Sequence, residues 1–514
     1  MQDFAKEFKQ DMIAFQAITK QFYHKELSVA DYKRVSGAFG SYAQRGGEFG
    51  MLRLRLWGGR ITKKHLQFIM DCIQKYQIGL LHLTTCQTVQ FHNLKPDDIC
   101  HLVEEAWANG IITMGGGGDY PRNVMMSPLS GVDPNEYFDV TGYAKAASDY
   151  VIGLLRKVKL PRKLKICFSN TPSDVTHATF RDLGFAANKD GTFDVYSAGG
   201  MGRDPKMGVL VAEHIMPDMT LYYIKAMIDV FLTHGDYKNR MKSRTRFMQD
   251  TLGIENYKKA FNEKLNEALN TENLKQTVRP YTVQKQSDGT ITNKRAIPQK
   301  QNGLYAVSIH PIGGTIDPET FSSLYQAILP MEETEIRLSP DEGMYVINCT
   351  AKEAQRLIEL TDAAAKTTFE TSIACIGNRI CQLGLRDSQT LLKTCIKAIR
   401  PYQFADGALP KIHISGCPSS CGTHQAATLG FRGAVKQTPN GPLPAFALYE
   451  GGCSERGKAS FGTEICIITE ENIPKFLIEL GQLTTKAQKN YTEWIKENHK
   501  TFLNLAEKYA NLPQ

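Results

Sequence analysis

Two stretches 255 positions apart lie side by side without a gap. LRLRLWGGRITKKHLQFI from Leu52 sits beside YAVSIHPIGGTIDPETFSSL from Tyr305, so that Gly58, Gly59 and Ile61 fall on Gly313, Gly314 and Ile316. Further on, Leu83 meets Leu338, Thr84 meets Ser339 and Leu102 meets Leu357. A repeat of this length restricts the fold to two copies of one unit. Alternation first and 3.6-residue spacing afterwards predict strand, Gly-Gly turn, helix, strand pair and helix in each copy. A ferredoxin-like α+β half-domain fits that order. Downstream, at an offset of 246, KLKICFSNTPS from Lys163 faces LPKIHISGCPS from Leu409, and Leu183-Gly184-Phe185 faces Leu429-Gly430-Phe431.

The chain therefore divides into a helical segment, 1–45; a first ferredoxin-like half-domain, 46–115; a downstream module, 116–275; a polar linker, 276–302; a second half-domain, 303–368; its module, 369–480; and a helical tail, 481–514. No apolar run reaches the roughly 18 residues a membrane span needs. The N-terminal MQDFAKEFKQDMIAFQ is amphipathic and mixed in charge, unlike a signal peptide, and a cytoplasmic protein is expected. The net charge of +8 favours an acidic partner or an anionic ligand. Clusters of aromatic and basic residues that would bind nucleic acid are absent.

Sulfur is distributed unevenly between the copies. ISGCPSSCGTH places Cys417 and Cys421 in one loop, and ACIGNRICQ places Cys375 and Cys381 in another. Four thiolates are what a [4Fe–4S] cluster needs. A four-cysteine zinc site is the rival, but its pairs are normally about two to four residues apart, against five between Cys375 and Cys381. Pro418 suits the first turn of a helix, which would aim the amides of Ser419, Ser420 and Cys421 at an anion. The sister positions are Tyr120, Met126, Thr171 and Val175, so the first copy holds none of the four. Cys72, Cys100, Cys349, Cys395 and Cys466 sit in apolar patterns and are expected to be buried small hydrophobes.

Cations show the opposite asymmetry. Period-2 alternation puts Arg53 and Arg55 on one strand face, and Lys163 and Lys165 on another, while Arg122 stands beside Asn123. The second copy has Ser308, His310, Leu409 and Gly377 in place of Arg53, Arg55, Lys163 and Arg122, and keeps only Lys411 for Lys165. Taken alone, either strand reads as a solvated face. Beside a sulfur-bearing sister copy, a shared site at a pseudo-twofold interface is the better reading, with one half supplying cations and the other electrons. GGGGDY from Gly115 is expected to be a flexible loop at that site. No Gly-x-Gly-x-x-Gly follows a strand, and Gly452–Ala459 lacks the Ser/Thr of a phosphate loop, so the electrons come from outside the chain.

With these residues in place, the chain resembles the sirohaem nitrite and sulfite reductase family, from about Arg53 to the C-terminal region. The resemblance implies two α/β sirohaem/iron–sulfur modules beside the half-domains, and a [4Fe–4S] cluster on Cys375, Cys381, Cys417 and Cys421, with Cys421 also ligating the sirohaem iron. It implies substrate-side cations at Arg53, Arg122, Lys163 and Lys165. Sirohaem contacts fall on Arg55, Asn123, Arg162, Gly199 and Gly200, and on a basic helix KNRMKSRTR carrying Arg240, Arg244 and Arg246. Cys86 stands where the family usually has Arg; it is expected to be buried and inert, with one cofactor contact missing or replaced. The implied reaction is six-electron reduction of nitrite to ammonia, which SPLSGVDPNEYFD from Ser127 favours slightly, or of sulfite to sulfide. The implied donor is ferredoxin or a separate flavoprotein. More distant readings are a precorrin oxygenase of cobalamin synthesis and a non-enzymatic iron–sulfur electron carrier.

Overall fold

Each Gly-Gly turn places two glycines in the left-handed region, Gly58 (φ +57°) and Gly59 (+70°) in the first copy and Gly313 (+61°) and Gly314 (+66°) in the second. The computed structural model describes residues 4–511, so residues 1–3 and 512–514 of the two terminal segments lie outside the described residues. After its turn each copy sends a two-residue strand into the other copy's sheet. Arg60–Ile61 pairs antiparallel with Glu335–Leu338, and Thr315–Ile316 with Leu80–Leu83. The first half-domain sheet runs Ser41–Ala43, Gly50–Leu54, Val89–Leu94, Leu80–Leu83, then the visiting Thr315–Ile316. The second runs Ala296–Pro298, Tyr305–Ile309, Met344–Cys349, Glu335–Leu338, then Arg60–Ile61. The order within each copy is the one expected, but the exchange was not anticipated.

The glycines are there for this crossing. A Cβ on Gly59 would stand 2.9 Å from the Leu338 carbonyl oxygen, and one on Gly314 3.0 Å from that of Leu83. Leu338 and Leu83 are themselves sister positions. Gly59→Ala should destabilise the fold by about 1–3 kcal/mol through the positive φ and the clash together. A denaturant midpoint equal to that of the unsubstituted chain would show that the crossing does not require glycine.

The helices Lys63–Tyr76 and Pro318–Ile328 follow the crossings, started by Thr62 accepting from His65 N and by Asp317 accepting from Thr320 N. Their buried faces join one core that both halves share, with Leu54, Ile61, Phe68 and Leu83 packed alongside Val307, Ile316, Leu324 and Leu338. The polar segment 276–302 ends in the edge strand Ala296–Pro298 and is pinned by a Lys285–Glu353 ion pair at 2.5 Å.

The downstream parts each build a mixed five-stranded sheet with its own core. In the first, Met125–Met126, Ile166–Ser169 and Leu183–Ala187 are parallel, followed antiparallel by Phe193–Ser197 and Val209–Ile215. In the second, Ile373–Ala374, Ile412–Ser415 and Leu429–Thr438 take the parallel places, followed by Gly441–Glu450 and Thr463–Thr469. The protein is α+β with two matched halves, and no helix among the described residues is long and apolar enough to cross a membrane.

Candidate active site

Strand Gly50–Leu54 buries its leucines and presents Arg53 on the other face, where Nη1 donates to the Gly116 carbonyl at 2.6 Å. Arg122 donates to the same carbonyl at 2.8 Å and to that of Gly118 at 2.7 Å. The four-glycine loop is therefore tied down, contrary to the flexible loop expected. Its glycines serve close approach, since a Cβ on Gly117 would lie 2.4 Å from the Gly37 oxygen. Gly118 N donates to the Tyr42 hydroxyl at 2.8 Å. Burial would raise that phenol, but Arg122 and Arg53 bring it below its usual value. Arg55 is buried and donates to the carbonyls of Met114 (3.1 Å) and Arg122 (2.7 Å), bracing the loop from beneath. Asn123 Nδ2 donates to the carbonyls of Cys86 and Gln87, both at 3.1 Å. With its amide turned to satisfy both neighbours, Gln90 accepts from Arg53 Nε at 3.1 Å.

Lys163 and Lys165 precede strand Ile166–Ser169 and are half-buried. Burial, then Arg244, Lys165 and Arg122, hold Lys163 well below the usual lysine range, while Cys421 pulls the other way. Lys165 is lowered by burial too, with Cys86 opposing. The two cationic strand faces thus meet, since Arg122 acts on Lys163 while Lys165 and Arg53 both act on Cys86.

The thiols meet them there. Cys375 follows Ile373–Ala374, and Cys417 and Cys421 follow Ile412–Ser415 on the neighbouring strand. Gly416 N donates to Cys375 Sγ at 3.1 Å, and Ser388 Oγ lies 3.2 Å from it. Burial, then Cys421, push the Cys375 thiol up to about 12. Cys421 is exposed to solvent, yet the protein packed around its turn and then Cys381 and Cys417 raise it, with Lys163 and Lys165 opposing. Cys421 is therefore the electrostatic neighbour of the other three thiols and of both lysines. Among the described residues no three His, Cys, Asp or Glu side chains stand close enough to grip a single metal ion; a cluster of several irons spreads its thiolates wider. The Cys417–Cys421 segment is a turn, with Ser420 at φ +55°, and not the helix start expected.

Two residues of the first half reach across to this sulfur-bearing half. Arg45 Nη2 donates to the carbonyls of Cys381 (3.3 Å), Gln382 (3.3 Å) and Gly384 (2.7 Å), and Thr85 Oγ1 donates to that of Cys421 (3.0 Å). Sequence reasoning missed both, and Gln90 as well, because contacts between side chains and distant carbonyls leave no spacing to read.

KNRMKSRTR is not a helix. Asp236 accepts from Lys238 N and Asn239 N, and Asn239 Oδ1 from Met241 N, so the side chains favour turns over helix. Arg240 and Arg162 both pair with Asp119, at 2.7 and 2.9 Å. Arg244 pairs with Asp182 at 3.0 Å. Arg246 donates to the carbonyls of Asp204 (2.5 Å) and Met201 (3.2 Å). A Cβ on Gly199 would meet the Arg181 oxygen at 2.7 Å, so that position needs glycine, whereas Gly200 only faces the tips of Arg244 and Arg246. Cys86 is not the buried inert thiol expected. It is half-buried beside Lys165, and although burial would raise it, Lys165 and Arg181 bring it down to about 6. Its sister position is Asp341, which pairs with Lys411, the sister of Lys165, at 2.6 Å.

Two family models match the first half: the nitrite/sulfite reductase ferredoxin-like half domain over residues 42–108, and the nitrite and sulphite reductase 4Fe-4S domain over residues 117–269. Both models are of the nitrite and sulfite reductase family, which the chain resembles along most of its length. It is 25% identical over 445 residues to a chloroplastic ferredoxin–nitrite reductase of Arabidopsis thaliana, covering 81% of this chain and 72% of that one. It is 25% identical over 426 residues to a ferredoxin–nitrite reductase of Synechococcus elongatus (78% and 80%), and 22% identical over 421 residues to a sulfite reductase [ferredoxin] of Mycolicibacterium paratuberculosis (78% and 73%). The fold matches that of the Mycobacterium tuberculosis NirA protein with a TM-score of 0.78 at 20% identity, over 96% of this chain and 95% of that one.

A nitrite/sulfite reductase is an oxidoreductase that uses a [4Fe–4S] cluster and sirohaem. In this reductase the 4Fe-4S match falls on the half without the cysteine set, because the two modules share one fold and only the second copy carries the thiols. The chemistry of this cation cluster fits an anionic macrocycle. Arg122 Nε, Arg244 Nε, Arg181 Nη2 and Asn123 Oδ1 are buried without a hydrogen-bond partner. Like charges about 4 Å apart cost several kcal/mol at an effective dielectric near 20, so a cation cluster of this density calls for bound anions.

Proposed function

We propose that this chain reduces nitrite to ammonia in a six-electron reaction, with ferredoxin as donor. The reading rests on one observation above the rest: the lysines of the first half and Cys421 of the second, itself beside Cys381 and Cys417, stand close enough to act on one another. There Cys375, Cys381, Cys417 and Cys421 would hold the cluster, with Cys421 the thiol that would also serve the sirohaem. The sirohaem would supply multi-electron redox chemistry when bound. Arg53 and Arg122, both anchored on Gly116, hold the substrate oxygens in fixed directions. Lys163 and Lys165 supply protons as N–O bonds break, a role for which arginine is too basic. The lowered affinity of Lys163 for its proton suits it to give that proton up. Sulfite needs the same cations, and the mycobacterial sulfite reductase among the relatives keeps sulfite to sulfide as the second reading. Retention of all four cations argues against a precorrin oxygenase.

The net charge of +8 favours an acidic donor. The loop that carries Cys381 exposes Leu383 (63%) and Leu385, with Arg379 exposed beside them, a surface suited to such a partner close to the cluster. Twelve cysteines, none joined in a disulfide, fit a reducing compartment such as the cytoplasm.

The purified protein is expected to show an isobacteriochlorin band over iron–sulfur absorption. With reduced ferredoxin it should turn over nitrite faster than sulfite, at a rate that falls as salt rises. Faster turnover of sulfite would transfer the reading to that substrate. Cluster absorption alone would make the chain an electron carrier.

A further inference from the structure

We infer that Arg181 is a carboxylate-binding residue of the sirohaem pocket, standing in for a cation that the neighbouring turn, with Cys86, does not provide. This rests on the sirohaem reading above and adds a residue that no sequence motif marks.

Arg181 ends the short turn Ala178–Phe180 and leads into strand Leu183–Ala187. Only 3% of it is exposed. Its Nε donates to the Thr176 carbonyl at 2.9 Å, which fixes the near edge of the guanidinium. Its Nη2 is buried and has no acceptor, and among the described residues no carboxylate lies within ion-pair distance of it. The other arginines of the cavity end differently. Arg122 and Arg55 spend both terminal nitrogens on carbonyls, Arg162 and Arg240 share Asp119, and Arg244 has Asp182. A buried guanidinium nitrogen without an acceptor has given up its hydration for nothing in return, at a cost that grows beside another cation. Such a group persists where a ligand completes it.

Its surroundings say what that ligand is. Arg181 faces Lys165 and Cys86, and its backbone oxygen accepts from Gly199 N at 3.0 Å, next to the Gly199–Gly200 turn. In the second half the corresponding lysine, Lys411, is neutralised by Asp341, and the position of Arg181 is Ala427. The first half therefore carries an excess of cation on one side of the pseudo-twofold axis, and the carboxylate that would balance it is missing from the protein. Cys86, half-buried beside Arg181, carries no guanidinium of its own to take a carboxylate of the macrocycle. The plainer alternative is that the Cys86 thiolate alone is the partner of Arg181, in which case macrocycle binding would not depend on the arginine.

Sirohaem per chain, cluster iron and sulfide per chain, and the thermal midpoint should be measured for the full-length protein, Arg181→Gln, Arg181→Lys and the double variant Cys86→Arg/Arg181→Gln. Arg181→Gln is expected to retain about a tenth or less of the sirohaem, with the thermal midpoint of the sirohaem-free protein unchanged. Arg181→Lys should keep an intermediate amount, and the double variant should regain most of it, since the guanidinium then enters from the facing turn. Full sirohaem in Arg181→Gln overturns the inference, and so does a loss accompanied by a lowered midpoint, which would make Arg181 a packing residue. An unsubstituted protein that binds no sirohaem overturns the functional reading itself, a result visible before any variant is made.

Discussion

Cys421→Ser is expected to leave a folded chain whose sirohaem and cluster signals no longer couple, with six-electron turnover lower by about three orders of magnitude or more, some 4 kcal/mol in the barrier. Serine fills the same space in the turn, and Thr85 still donates to the residue 421 carbonyl, so the backbone has no reason to move. The thiolate is lost, and with it the ligand proposed to join cluster and haem iron. Iron and sulfide analysis, the visible spectrum and the steady-state rate with nitrite check the result. Full activity with both cofactors bound would remove Cys421 from its bridging role. The same experiment on Cys466, a half-buried thiol outside the cavity, should leave the rate unchanged.

Lys163→Met is expected to keep both cofactors and to lower turnover about a hundredfold, within the range of one positioned proton donor and equal to some 2.7 kcal/mol. Methionine matches the stem of lysine and removes only the ammonium, which stands among Arg244, Lys165 and Arg122. Relieving that repulsion should stabilise the fold slightly, so a drop in rate without a drop in thermal midpoint separates a chemical role from a structural one. Unchanged turnover would take Lys163 out of the site.

How much of this was legible beforehand differs residue by residue. The duplication, the strand–turn–helix order and the four thiols follow from spacing, because period-2 and 3.6-residue patterns and loop cysteines are written along the chain. The cationic faces Arg53 and Lys163 were legible for the same reason. The helix expected for KNRMKSRTR failed because Asp236 and Asn239 bond their own backbone, a local competition that charge counting overlooks. The glycine loop was misjudged because Gly115–Gly118 reads as freedom in sequence and serves as close packing in space. Cys86 was misjudged because the charge of a thiol depends on which cations fold against it.

The sequence by itself determined that there are two copies, which copy holds sulfur and which holds positive charge. Tertiary structure alone decided that the copies exchange strands through Gly59 and Gly314, that Arg45 and Thr85 grip the opposite half's cysteine loops, and that Arg181 Nη2 is buried without an acceptor. The physical reason is range. Periodicity and ligand spacing are set by neighbours a few residues away, whereas the charge state and pairing of a side chain are set by groups a hundred or more positions distant, which meet only when the two halves close on each other.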